Sequence, residues 1–123
     1  MSTLTITINT KDYLVGFEYK AAKFITEKFG YESYGDVQQE LIDSGIDNIK
    51  LDLSFKQYHF LAKLVLFSIQ SNPANKAKSL NLDTVEAYLF SHIDVSMDVI
   101  NLYMDVTYKR MGKLQPNPKP ETK

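Results

Sequence analysis

"TLTITINTKDYLVGFEY", residues 3–19, carries the chain from a strand pattern into a helical one. Leu4, Ile6 and Ile8 alternate with Thr3, Thr5 and Thr7, the period-two pattern of a strand with one buried and one wet face. The pattern breaks at Asn9-Thr10-Lys11-Asp12 and resumes as Tyr13, Val15 and Phe17, so residues 13–18 are the natural hairpin partner. A lone two-stranded hairpin is marginally stable in water, and this one needs a body to lean on. From Tyr19 the period changes. Ala21, Ala22, Phe24, Ile25 and Phe29 line one side of a helix, Lys20, Lys23 and Glu27 face out, and Gly30 fits a C-terminal stop. The hairpin is expected to fold back on this first helix.

Three capping boxes mark later helix starts: Asp36 with Gln39, Ser54 with Gln57, and Asp83 with Glu86. Each places an N-cap acceptor three residues before a side chain able to reach back. The predicted helices are 36–44, 55–70 and 84–93, with Gly45 closing the first and Asn72-Pro73 the second. A last helix follows Asp94 and ends near Gly112. The third helix, "FKQYHFLAKLVLFSIQ", is apolar over most of its circumference, with Lys56, His59, Lys63 and Gln70 as its narrow wet stripe, and is expected to be the central core helix. The expected class is therefore α+β, mainly α: an N-terminal β-hairpin packed on a small bundle of about five helices. Residues 1–112 form one domain. Residues 113–123, "KLQPNPKPETK", carry three prolines and almost nothing apolar, and read as a flexible or polyproline-like tail.

Composition narrows the function. A chain of 123 residues can bury a core without a staple, and the absence of cysteine removes disulfides, thiolate metal sites and thiol nucleophiles together. A net charge of −1 argues against charge-driven binding to nucleic acid or anionic lipid. No signal-peptide pattern opens the chain, and the greasiest run, Phe60 to Ile69, is interrupted by Lys63 and too short to span a bilayer. These features predict a soluble intracellular protein.

Catalytic signatures are missing. His59 and His92 fall on different helices without an HExxH pair, no serine sits in a GxSxG elbow, and no glycine-rich loop follows a strand. Asp94, Asp98, Asn101 and Asp105 share one helix stripe, which reads as a solvated face because one face supplies too few converging oxygens for a cation. The fifteen aromatics follow helix and strand periodicity, as core residues do, rather than a basic groove. No catalytic residue, cofactor or metal is expected.

The last helix, "DVSMDVINLYMDVTYKRMG", carries two apolar seams. Val95, Val99, Leu102 and Val106 form one. Met97, Ile100, Met104 and Met111 form the other, with its methionines a heptad apart. Both seams can pack inside the domain. In the alternative reading the second is a partner groove, because unbranched methionine adapts to varied apolar segments. On that reading Met97, Ile100, Met104 and Met111 are the partner-binding residues.

A hairpin of the type "ITINTKDYLVGFEY" running directly into an amphipathic helix like "KAAKFITEKFG", followed by a small helical domain, resembles the phage tail assembly chaperones of long-tailed bacterial viruses. The architecture matches over most of the chain, and the specific motif covers about the first thirty residues. The resemblance implies a non-enzymatic chaperone of the host bacterial cytoplasm, absent from the mature virion. Such a protein keeps the helical tape-measure protein soluble while tail-tube subunits assemble. A client made of apolar helical stretches calls for broad apolar surfaces and no active site. The Thr-rich strand also offers a sheet edge for self-association into a homo-oligomer. The family often makes a longer, frameshifted product, the form that would recruit tail-tube protein. With GGA at Gly112, Met111-Gly112-Lys113 would be encoded across G GGA AAR, a slippery heptamer of the kind used. The alternative is a small structural protein of the tail or head-tail junction. A small enzyme or nucleic-acid-binding regulator is disfavoured by the missing motifs and near-neutral charge.

Overall fold

The structure, a computed structural model, describes residues 3–46 and 51–112. The hairpin comes first, β1 (Thr3–Ile8) and β2 (Lys11–Gly16), followed by α1 (Tyr19–Phe29), α2 (Tyr34–Asp43), α3 (Phe55–Gln70), a short 3₁₀ turn (Pro73–Asn75), α4 (Leu82–Ser91) and α5 (Ile93–Met111). The class is α+β and mainly α, a hairpin on five helices, as the alternation and helix periods predict. The tail 113–123 lies outside the described residues.

β1 and β2 pair antiparallel, with Ile8 opposite Lys11 and Thr3 opposite Gly16. The connection is two residues long, not the four-residue break predicted, and β2 begins two residues early. The reason is the turn: Asn9 and Thr10 both have positive φ, 53° and 68°, the type I′ geometry whose twist matches that of the flanking strands. Asp12 therefore belongs to the strand, where its Oδ1 accepts from Thr7 Oγ1 directly opposite at 2.6 Å.

The inward face of the hairpin, Ile6, Ile8, Tyr13 and Val15, is buried together with Phe17. β2 rests on α3, and β1 on α5. Burying each such side chain stabilises the fold by about 1.5–3 kcal/mol, which answers what the hairpin leans on. Its backbone is also tied down. Gly16 N–H donates to Ser68 Oγ at 2.9 Å while Ser68 Oγ–H donates to Gly16 O at 2.7 Å. Leu14 N–H donates to Asn75 Oδ1 at 2.9 Å, and Asn75 Nδ2 donates to Leu14 O at 3.0 Å and Ile69 O at 2.9 Å. Two side chains thus replace the third strand that the outer edge of β2 lacks. β1 forms the other edge of the sheet and turns Thr3, Thr5 and Thr7 to solvent.

α3 is the central helix, touching α1, α4, α5 and β2. Ten of its residues are buried, while Lys56, His59 and Gln70 are exposed and Lys63 half-buried, the expected wet stripe. Its predicted capping box is formed: Ser54 Oγ accepts from Gln57 N–H at 3.1 Å and Gln57 Oε1 from Ser54 N–H at 2.8 Å. The other two boxes are not formed. Ser33 caps α2 by accepting from Asp36 N–H at 3.3 Å, and Asn81 caps α4 by accepting from Thr84 N–H at 2.9 Å. Both helices accordingly start two residues before their predicted positions. The expected partners are engaged elsewhere, Gln39 with Asp43 Oδ1 at 2.9 Å and Glu86 with His59 Nδ1 at 2.9 Å. Asp36 and Asp83 fall instead in the first turns, where their charge suits the helix dipole.

α1 ends as predicted, at Gly30 with φ 81°. α4 and α5 are separated by His92 alone, and the buried Ser96 Oγ–H donates back to Leu89 O at 2.8 Å to hold the corner. No described helix is long and apolar enough to cross a membrane.

Candidate functional site

The predicted methionine seam is packed into the domain. Ile100 is only 6 % exposed, and Met97 and Met104 are half-buried against the core. The Met111 side chain lies outside the described residues. The other seam is packed as well, with Val99 and Leu102 buried and Val95 and Val106 partly so. This follows from the contacts of α5 with α4, α3 and β1. The apolar residues of both seams therefore pack against the domain, Ile100 fully and Met97 and Met104 in part. The stripe of Asp94, Asp98, Asn101 and Asp105 faces solvent, and Asp105 pairs with Lys109 at 3.3 Å.

Two other surfaces are open. The first lies where the start of α3 meets the end of α4. Phe55 is 71 % exposed and Phe90 51 % exposed, and their rings stack with centroids 5.5 Å apart and planes 20° apart. Beneath them Tyr58 packs edge-on to Phe90 at 5.4 Å, anchored by its hydroxyl, which donates to Asp52 Oδ1 at 2.6 Å. Burial and then this bond push the Tyr58 hydroxyl up to about 12. Leu51, 91 % exposed, lies four residues before Phe55, and Ile93 is exposed just beyond α4. Large apolar side chains gathered at the surface rather than scattered mark interaction sites. Sequence periodicity could not single out Phe55, because it opens a helix whose remaining aromatics are largely buried.

The second is an open cleft of ≈ 820 Å³ between α1, the start of α2 and the end of α5. Its lining includes Phe17, Tyr19, Tyr31, Tyr34 and Val106, with Glu18, Glu27, Glu32, Lys23, Lys109 and Arg110 among its charged residues. Arg110 lies over the Tyr34 ring at 5.6 Å, and Tyr31 donates its hydroxyl proton to Glu40 while stacking on Phe29. The Tyr34 and Tyr103 rings lie 6.1 Å apart, and Tyr103 meets Phe17 edge-on at 5.1 Å. The hydroxyls of Tyr34, Tyr103 and Thr107 are buried, and none meets a partner at hydrogen-bonding geometry. Burial pushes the Tyr34 hydroxyl well above its ordinary value and that of Tyr103 up to about 12, so both stay neutral at physiological pH.

Nothing in either surface assembles a nucleophile with a base. His59 is held by Glu86 on an exposed face, and His92 stacks on Tyr88 at 4.2 Å with its Nδ1 2.9 Å from Tyr88 O. Among the described residues no group of three or more histidine, cysteine, aspartate or glutamate side chains could hold a metal ion. No protein-family model, curated protein or solved structure matches this chain.

Proposed function

We propose that this protein is a non-enzymatic tail assembly chaperone of a long-tailed bacterial virus, binding tape-measure protein in the host cytoplasm. A longer, frameshifted form would engage tail-tube protein. The observation that carries the reading is the stacked Phe55–Phe90 pair, presented to solvent where the start of α3 meets the end of α4 and backed by Tyr58. Such a pair suits the apolar face of a client helix, and aromatic anchors of this kind dominate the energetics of interfaces. The hairpin leading into a helical domain is the arrangement that the resemblance calls for. Relative to the sequence-based assignment, the partner surface moves from the packed methionine seam to Phe55 and Phe90.

The test is co-expression with the tape-measure protein of the same virus. The wild-type chain is expected to co-purify with it. The F55D/F90D variant is expected to lose at least tenfold in affinity while keeping its helical circular-dichroism spectrum, since both side chains are more than half exposed. Equal binding by the variant would remove the surface from the argument. Recovery of the protein from purified particles would replace the chaperone reading with the structural one.

A further inference from the structure

We infer that the cleft between α1, α2 and α5 is a binding site for a proline-rich segment, and that its occupant is this chain's own residues 113–123. The inference is independent of the client surface at Phe55 and Phe90.

The place where the described chain ends makes the first argument. Lys109 and Arg110 line the cleft, and α5 finishes at Met111 with Gly112 as its C-cap. The tail's first residue is thus only three positions beyond Arg110 of the cleft lining. A cleft of ≈ 820 Å³ is on the order of 9 Å across, which about three residues of a polyproline II helix span at ~3.1 Å each. Eleven residues follow Gly112, and Pro116 stands only four beyond it. Reach is no obstacle.

Chemistry makes the second. Proline-rich segments dock on aromatic-lined grooves, because proline rings lie flat on aromatic faces and the segment is pre-ordered before it binds. Phe17, Tyr19, Tyr31 and Tyr34 supply four aromatic rings in one cleft, and Tyr19 and Tyr31 are exposed. Pro116, Pro118 and Pro120 alternate with Asn117 and Lys119. At three residues per turn, Pro116 and Pro118 take two edges of the helix and leave Asn117 on the third, so both prolines can face the rings while the polar residue meets water.

Charge makes the third. Lys113, Lys119 and Lys123 against Glu121 leave the segment net positive. On the cleft, Lys109 is paired with Asp105, while Lys23 and Arg110 keep their charge, so Glu18, Glu27 and Glu32 leave an excess of one negative charge. The exposed carboxylates Glu18, Glu27 and Glu32 make no ion pair among the described residues. The excess charges are complementary. Tethering also supplies an effective concentration on the order of millimolar, so weak contacts suffice to hold the segment in place.

NMR on the full-length, isotope-labelled protein tests this. Docking predicts nuclear Overhauser contacts from the Pro116 and Pro118 rings to those of Tyr19, Tyr31 or Tyr34, with Pro120 on the solvent edge beside Asn117. Heteronuclear NOE values at Asn117 and Lys119 should approach those of the helices. In the P116G/P118G/P120G variant, which alters nothing in the core, both signatures should vanish and the cleft ring resonances should shift. Coil-like values in the wild type, or cleft resonances unmoved in the variant, would overturn the inference. An ordered tail contacting other residues would do the same. A mixed-isotope sample showing the contacts only between molecules would assign the cleft to a second copy and equally overturn docking in cis.

Discussion

Replacing Asn75 with alanine tests the idea that side chains stand in for a missing strand. Asn75 is buried and reaches across 61 positions of sequence to hold both backbone groups of Leu14, and it also donates to Ile69 O. Each such bond contributes about 0.5–1.5 kcal/mol net, so three removed together set a range of about 1.5–4.5 kcal/mol. Leu14 is itself exposed, and its amide and carbonyl regain water when the cap is gone. The bond to Ile69 O is buried, and that carbonyl does not. The expected loss is therefore about 2–3 kcal/mol, or a fall of roughly 10 °C in Tm for a domain of this size. Urea unfolding followed by circular dichroism measures the loss, and amide hydrogen exchange locates it, with protection falling first at Leu14. Asn75→Asp is more severe. It keeps an acceptor for Leu14 N–H but turns a carboxylate toward two carbonyls. A loss below about 1 kcal/mol for Asn75→Ala, with Leu14 protection unchanged, would show that Asn75 does not seal this sheet edge.

At the turn, Thr10 has φ 68°, a costly conformation for a β-branched residue, and Thr10→Gly is expected to raise stability by roughly 0.5–1 kcal/mol after the added chain entropy of glycine is subtracted. A drop in Tm would show that the Thr10 hydroxyl bond to Asn9 O matters more than the strain. Ser54→Ala removes one half of the formed capping box and should cost about 1 kcal/mol. Gln57→Ala should cost more, because Gln57 Nε2 also donates to Ser44 O at 2.7 Å; equal losses would argue against that tie. The folded-state value of Tyr103 is raised to about 12 from 10.0. Its contribution is thus fully present below pH 10 and is lost as pH rises from 10 to 12, at up to about 1.4 kcal/mol per unit. Tyr103→Phe, which removes an unpartnered buried hydroxyl, should be near neutral in stability at pH 7 and should flatten this alkaline loss. An unchanged slope would assign the loss to other groups.

Much of the fold was legible because it is written in local periods. The Thr/Ile alternation of residues 3–8, the apolar circumference of 55–70, the Gly30 stop and the Ser54–Gln57 box involve residues at most a few positions apart, and backbone conformation responds to neighbours at that range. Where several local solutions compete, tertiary contacts choose among them. Ser33 and Asn81 cap helices for which Asp36 and Asp83 were equally good candidates; Glu86, the expected reciprocal partner of Asp83, instead meets His59 across 27 positions of sequence. The candidate site was less legible still. A seam such as Met97, Ile100 and Met104 reads the same whether it meets solvent or a neighbouring element, and the packing of α5 leaves Ile100 buried and Met97 and Met104 half-buried. The Phe55–Phe90 pair joins residues from two helices, the aromatic cleft joins three, and the Asn75 seal bridges 61 positions. Local sequence specifies which segments become strand or helix and which faces are apolar. Which of those faces remain open depends on packing, since burial is set by contacts between residues far apart along the chain.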